Sequence, residues 1–76
     1  MSNLLISRPA VHLVPELLER CDSCGAAAKL YATIGAAGEL AFCGHHANRY
    51  VDRIVATADR VALVSDFAWR GGGQRL

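Results

Sequence analysis

Every cysteine of this chain and two of its three histidines fall within CDSCGAAAKLYATIGAAGELAFCGHH, Cys21 to His46. Thiolate and imidazole are the donors of a soft, tetrahedral metal site, and the spacing C-x2-C-x18-C-x2-H brings two donor pairs from separate points of the chain. Two cysteines separated by two residues can aim both sulfurs at one ion where the backbone turns tightly, and Gly25 directly after the pair permits such a turn. Residues three apart on the first turn of a helix share a face, so Cys43 and His46 converge while His45 looks elsewhere. The expectation is a closed Cys3His zinc site of Cys21, Cys24, Cys43 and His46, with His45 as the alternative fourth ligand. Iron–sulfur chemistry fits less well, since a common cluster needs a fourth cysteine.

Other chemistries need more than the sequence supplies. A CxxC redox pair belongs at a helix start in a βαβ setting that a chain of 76 residues has no room for. A Cys–His nucleophile lacks a third orienting group, and a zinc deaminase requires H-x-E with a downstream P-C-x-x-C. No enzymatic activity is therefore expected. His12 reads as an ordinary loop side chain among apolar neighbours.

These donors must be held by the elements around them. Lys29 to Ile34 and Glu39 to Cys43 are rich in strand formers, and GAAG between them marks a β-hairpin. From His45 to Val64, Ala47, Tyr50, Val51, Ile54, Val55, Ala58, Val61 and Ala62 fall on one helical stripe, opposite Arg49, Asp52, Arg53, Asp59 and Arg60. That pattern predicts one main helix with a solvated Arg/Asp face. VPELLER predicts a short helix opened by Pro15. Three segments result: a lead-in over 1–20, a zinc-binding knuckle–hairpin–helix domain over 21–66, and a tail over 67–76.

The chain is 53% hydrophobic, but much of that share is alanine, so a single core is thin and a metal cross-link would reinforce it. Seven arginines and one lysine against seven acidic groups give a formal charge of +1, far from the excess expected of a general nucleic-acid binder. The first residues lack a basic signal-peptide start, and no run approaches the length of a membrane span. Three cysteines cannot all pair as disulfides, so a reducing cytoplasm is the expected compartment.

As a block, CDSCGAAAKLYATIGAAGELAFCGHHANRY resembles a family of short, functionally uncharacterised proteins of actinobacteria and their phages, with a CDxCGA knuckle, a G-E-L strand and an F-C-x-H-H close. The resemblance covers Cys21 to Tyr50 and implies a zinc-finger-like fold with Cys21, Cys24, Cys43 and one of His45 or His46 as ligands. It implies no activity. The sequence thus predicts a small α+β, treble-clef-like zinc domain whose function is binding: a protein-interaction adaptor or modulator, for instance of the transcription or translation machinery, or a self-associating module. The residues expected to meet a partner are Leu5 and Val14 in the apolar lead-in and Trp69, which either anchors an interface or caps the core. The alternative is a nucleic-acid-binding finger that sets Arg49, Arg53 and Arg60 against phosphates.

Overall fold

The computed structural model describes residues 9–71, which form a four-stranded mixed sheet with two short helices on one face. The strands are β1 (Ala10–Val14), β2 (Leu30–Ile34), β3 (Gly38–Phe42) and β4 (Arg60–Val64), in the order β1-β4-β2-β3. β2 and β3 make the expected hairpin, with Leu30 opposite Phe42 and Ile34 opposite Gly38. A single 3-10 turn over Gly35–Ala37 joins them, closed by two glycines in the left-handed region, Gly35 at φ 41° and Gly38 at φ 99°. The helices are α1 (Gly44–Arg49) and α2 (Val51–Thr57).

Alternation along the strands decides which side chains meet. Leu30 and Ala32 of β2, Phe42 of β3 and Val61 and Leu63 of β4 point to the helices and meet Ala47, Val51, Ile54 and Ala58. Leu30 and Val61, the largest fully buried side chains, each contribute about 2–3 kcal/mol of burial. Much of the remaining core is alanine, as the composition implied.

Three expectations are corrected. The main helix does not reach Val64: it ends at Thr57, Ala58 turns to φ −79°, ψ 140°, and Arg60–Val64 runs as β4. Val61 and Leu63 fit either period, but as strand residues they pair with Ala32 and Leu30 of β2 and satisfy backbone groups along both edges. Pro15 to Arg20 forms no helix. Six residues make too short a helix to offset its own nucleation, and the backbone there is used otherwise: Arg20 bridges Ala27 and the Glu19 carbonyl accepts from the Ala28 N–H at 3.1 Å. The lead-in supplies β1, parallel to β4 and paired from Ala10↔Arg60 to Val14↔Val64.

The third correction concerns Trp69. It is only 4% exposed, and its indole N–H donates to the Ala47 carbonyl at 2.8 Å, so it is a core residue and not a surface anchor. The Arg70 N–H reaches Asn48 Oδ1 at 2.7 Å, and its guanidinium reaches the Asn48 carbonyl at 3.2 Å. In an unbroken helix the Ala47 and Asn48 carbonyls would serve residues 51 and 52. Here the helix breaks at Tyr50 (φ −102°, ψ 22°) and the returning chain takes both carbonyls.

Asp59 fastens the far end of the sheet. Its N–H donates to the Thr33 carbonyl, its carbonyl accepts from Ala10, and Oδ2 accepts from the Gly35 N–H at 2.8 Å. Asp59→Ala is expected to lower stability by about 1 kcal/mol, the usual net value of one hydrogen bond, read as a lower urea midpoint at unchanged m.

Candidate metal centre

Two pieces of backbone carry the four donors, the knuckle and the start of α1. Cys21 to Gly25 is a knuckle: the Gly25 N–H donates to the Cys21 carbonyl at 2.8 Å, and the Cys21 N–H to the Ala26 carbonyl at 2.7 Å. Gly25 at φ 82° supplies the left-handed step that closes it. Cys43 ends the hairpin and is the N-cap of α1, its sulfur accepting from the His46 N–H at 3.5 Å. His46 follows on the first turn, facing back toward the knuckle.

Sequence reasoning overlooked the residue that docks the knuckle on the hairpin. Asp22 donates its N–H to the Ala41 carbonyl at 2.8 Å and accepts the Ala41 N–H on Oδ2 at 2.7 Å, so its backbone and side chain together pair with the outer edge of β3. The available signal was a short carboxylate next to the first cysteine, a residue type that bonds nearby backbone N–H groups in turns. Asp22→Ala is expected to cost about 1–2 kcal/mol in the metal-loaded chain and Asp22→Asn clearly less, since the amide keeps an acceptor; thermal melts of the two separate the cases.

The donor atoms of Cys21, Cys24, Cys43 and His46 all lie within 4.8 Å of one another. Cys24 Sγ is 3.8 Å from Cys43 Sγ, and His46 Nδ1 is 3.3 Å from Cys43 Sγ and 3.6 Å from Cys21 Sγ. A tetrahedral ion with metal–sulfur bonds of about 2.3 Å and metal–nitrogen bonds of about 2.0 Å requires edges of about 3.8 Å between sulfurs and about 3.5 Å from sulfur to nitrogen. The donor set fits a metal in number, type and spacing. A disulfide, by contrast, needs sulfurs about 2.05 Å apart, and all three cysteines are free.

Electrostatics favour a cation at the same point. Burial disfavours the Cys21 thiolate, but N–H donors of Cys43, Ser23 and Cys24, together with the Cys24 side chain, outweigh it and bring the pKa down to about 6. At Cys24 the Ala26 N–H favours the thiolate, yet desolvation and the neighbouring Cys21 and Cys43 sulfurs push the pKa up. Crowded sulfurs resist a second negative charge until a positive ion sits among them.

Cys21 and Cys43 are buried, His46 is half-buried and Cys24 is exposed, so the site opens to solvent on the Cys24 side. His45 is exposed and lies outside the cluster, its ring meeting His46 edge-on at 5.1 Å. The other face of the His46 ring environment is set by Tyr50, stacked at 5.7 Å and 16°.

The remaining expected site residues are dispersed. Leu5 lies outside the described residues. Val14 is half-buried in β1 opposite Val64. Arg49 ends α1, Arg53 lies in α2 and Arg60 begins β4, so these exposed arginines do not form one helical row. No helix among the described residues is long and apolar enough to cross a membrane.

A family model matches residues 15–68: DUF7455, a domain of unknown function. No curated protein and no solved structure matches the chain.

Proposed function

The chain thus belongs to the DUF7455 family, and from that premise we propose that it is a small structural-zinc module that acts as a protein-interaction adaptor. The observation that carries the reading is the convergence of Cys21, Cys24, Cys43 and His46, donor atoms within 4.8 Å of one another, from two otherwise separate pieces, the knuckle and the start of α1. Zinc suits three thiolates and an imidazole, and its chemistry in such a closed set is to cross-link the chain. Knuckle, hairpin and a ligand pair at a helix start follow one another in the order of a treble clef.

A full ligand set with no position left for substrate supports binding over catalysis. Exposed Val11, Leu13, Leu18 and Leu40 supply apolar contact surface, and the near-neutral charge supports a protein partner. Reduced thiols in a zinc site are consistent with a cytoplasmic setting.

The test is affinity capture of the tagged, zinc-loaded chain from a lysate, with and without nuclease, read by mass spectrometry. A defined protein retained through nuclease and moderate salt is the expected result. Recovery that collapses with nuclease and falls steeply with salt would instead assign the chain to nucleic acid, through Arg49, Arg53 and Arg60.

A further inference from the structure

Beside the metal centre, β3 and α2 diverge and leave a pocket of about 220 Å³. Ile34, Leu40, Phe42 and Ile54 form its apolar lining, joined by Tyr50 and Arg53. Phe42 and Ile54 are almost fully desolvated, whereas Leu40 stands 41% exposed on an edge strand. The volume is below the roughly 300–1,000 Å³ of sites for drug-sized ligands and cofactors, and suits one large side chain.

Charge narrows the occupant. Arg53 is the charged residue among those lining the pocket, and the Thr57 hydroxyl is already committed to the Arg53 carbonyl at 2.7 Å. An apolar group entering here therefore lies beside Arg53, whose guanidinium a neighbouring carboxylate would pair and a neighbouring ammonium would oppose. Large apolar anchors seated in a small desolvated pocket are also the usual centres of protein interfaces. We propose that this pocket receives a segment of a partner protein in which an aromatic or leucine-sized side chain is flanked by acidic residues, with Arg53 reading the acidic flank. The proposal rests on the adaptor reading and names its surface. Tyr50 links the pocket to the metal centre, since its ring stacks on His46 and tilts against Phe42 at 5.9 Å.

The experiment titrates the zinc-loaded full chain, observed by amide NMR, with the peptide Gly-Asp-Phe-Glu-Gly and with its controls Gly-Lys-Phe-Lys-Gly and Gly-Asp-Ala-Glu-Gly. Saturable shifts at Ser23, Leu40 and Arg53 are expected for the first peptide, with Kd on the order of 1 mM for so small a probe. Each control should bind at least about fivefold more weakly. Arg53→Glu, an exposed change that leaves the backbone carbonyl bonded to Thr57 in place, should reverse the preference between acidic and basic peptides. Equal binding of the two charged peptides, shifts confined to other surfaces, or the same response to phenylacetate as to the peptide would overturn the proposal. Lysate capture separates the two levels. A partner held undiminished by Arg53→Glu and Leu40→Asp sinks the pocket and leaves the adaptor reading standing, while the capture of no protein sinks the adaptor reading and the pocket's role with it.

Discussion

Replacing Cys43 with alanine is expected to leave the chain without its metal and without a cooperative fold. Cys43 is the donor where the two halves of the site meet: it ends the hairpin, caps α1 and lies within contact of both Cys24 and His46. Loss of the cap alone costs about 1 kcal/mol. Loss of the ion removes a contribution on the order of 10 kcal/mol, comparable with the whole stability of a small domain, so the metal term decides the outcome. Cys24→Ala tests the same term without the cap, because its sulfur is exposed and caps no helix, and it should unfold the chain nearly as completely. His45→Ala, outside the donor cluster, should keep full metal content and fold. The readouts are zinc per chain by elemental analysis and the near-ultraviolet dichroism of Trp69, whose ordered indole reports the core. A strong chelator should bring the unaltered chain to the same state, reversed by added zinc; a native Trp69 signal that survives chelation would sink the structural-metal reading.

The site was more legible than the fold because its information is local. Cys21, Cys24 and Gly25 define the knuckle within five residues, and the i, i+3 relation of Cys43 and His46 favours His46 while leaving His45 as the alternative, which the cluster in the structure excludes. The hairpin was legible for the same reason, since GAAG and the strand formers beside it are neighbours in sequence. β4 was not, because Val61 extends the stripe begun by Ala47, Val51, Ile54 and Ala58, and a short apolar run fits a helix or a buried strand equally. What separates them is the pairing partner: β4 lies between β2 and β1, one preceding it by about 30 residues and the other by about 50. β1 was hidden likewise, since Val11 and Leu13 stay substantially exposed and only the pairing to β4 makes the segment a strand. Asp59 was read as part of a helical polar face; its actual partners come from two distant segments, Thr33 and Gly35 around the end of β2 and Ala10 in β1.

Trp69→Ala is expected to be the most damaging change away from the metal, lowering stability by about 3–5 kcal/mol. At the usual 0.05–0.15 kcal/mol per residue, a chain of this length has about 4–11 kcal/mol in total, so the variant retains little of its margin. Two effects add. The indole fills the core where Val51 and the second helix meet the returning chain, close enough to Gly71 that a Cβ there would fall 2.8 Å from the ring. Its N–H also satisfies the Ala47 carbonyl, which the break at Tyr50 leaves without a helical donor. Trp69→Phe separates the two, keeping much of the volume and losing the N–H, and should cost about 1–3 kcal/mol, the range for a buried acceptor left unpaired. Urea midpoints of the zinc-loaded variants give both numbers, and a Phe variant as weak as the Ala variant would mean that the hydrogen bond outweighs the packing. The residue lies one position beyond the family match, and β1 lies just before it. A fragment limited to residues 15–68 would keep all four metal donors yet lack β1 and the indole. Such a fragment should still bind zinc but melt well below the full chain, because an ion there fastens only the knuckle to α1, while Trp69 completes the core and β1 pairs the outer edge of β4.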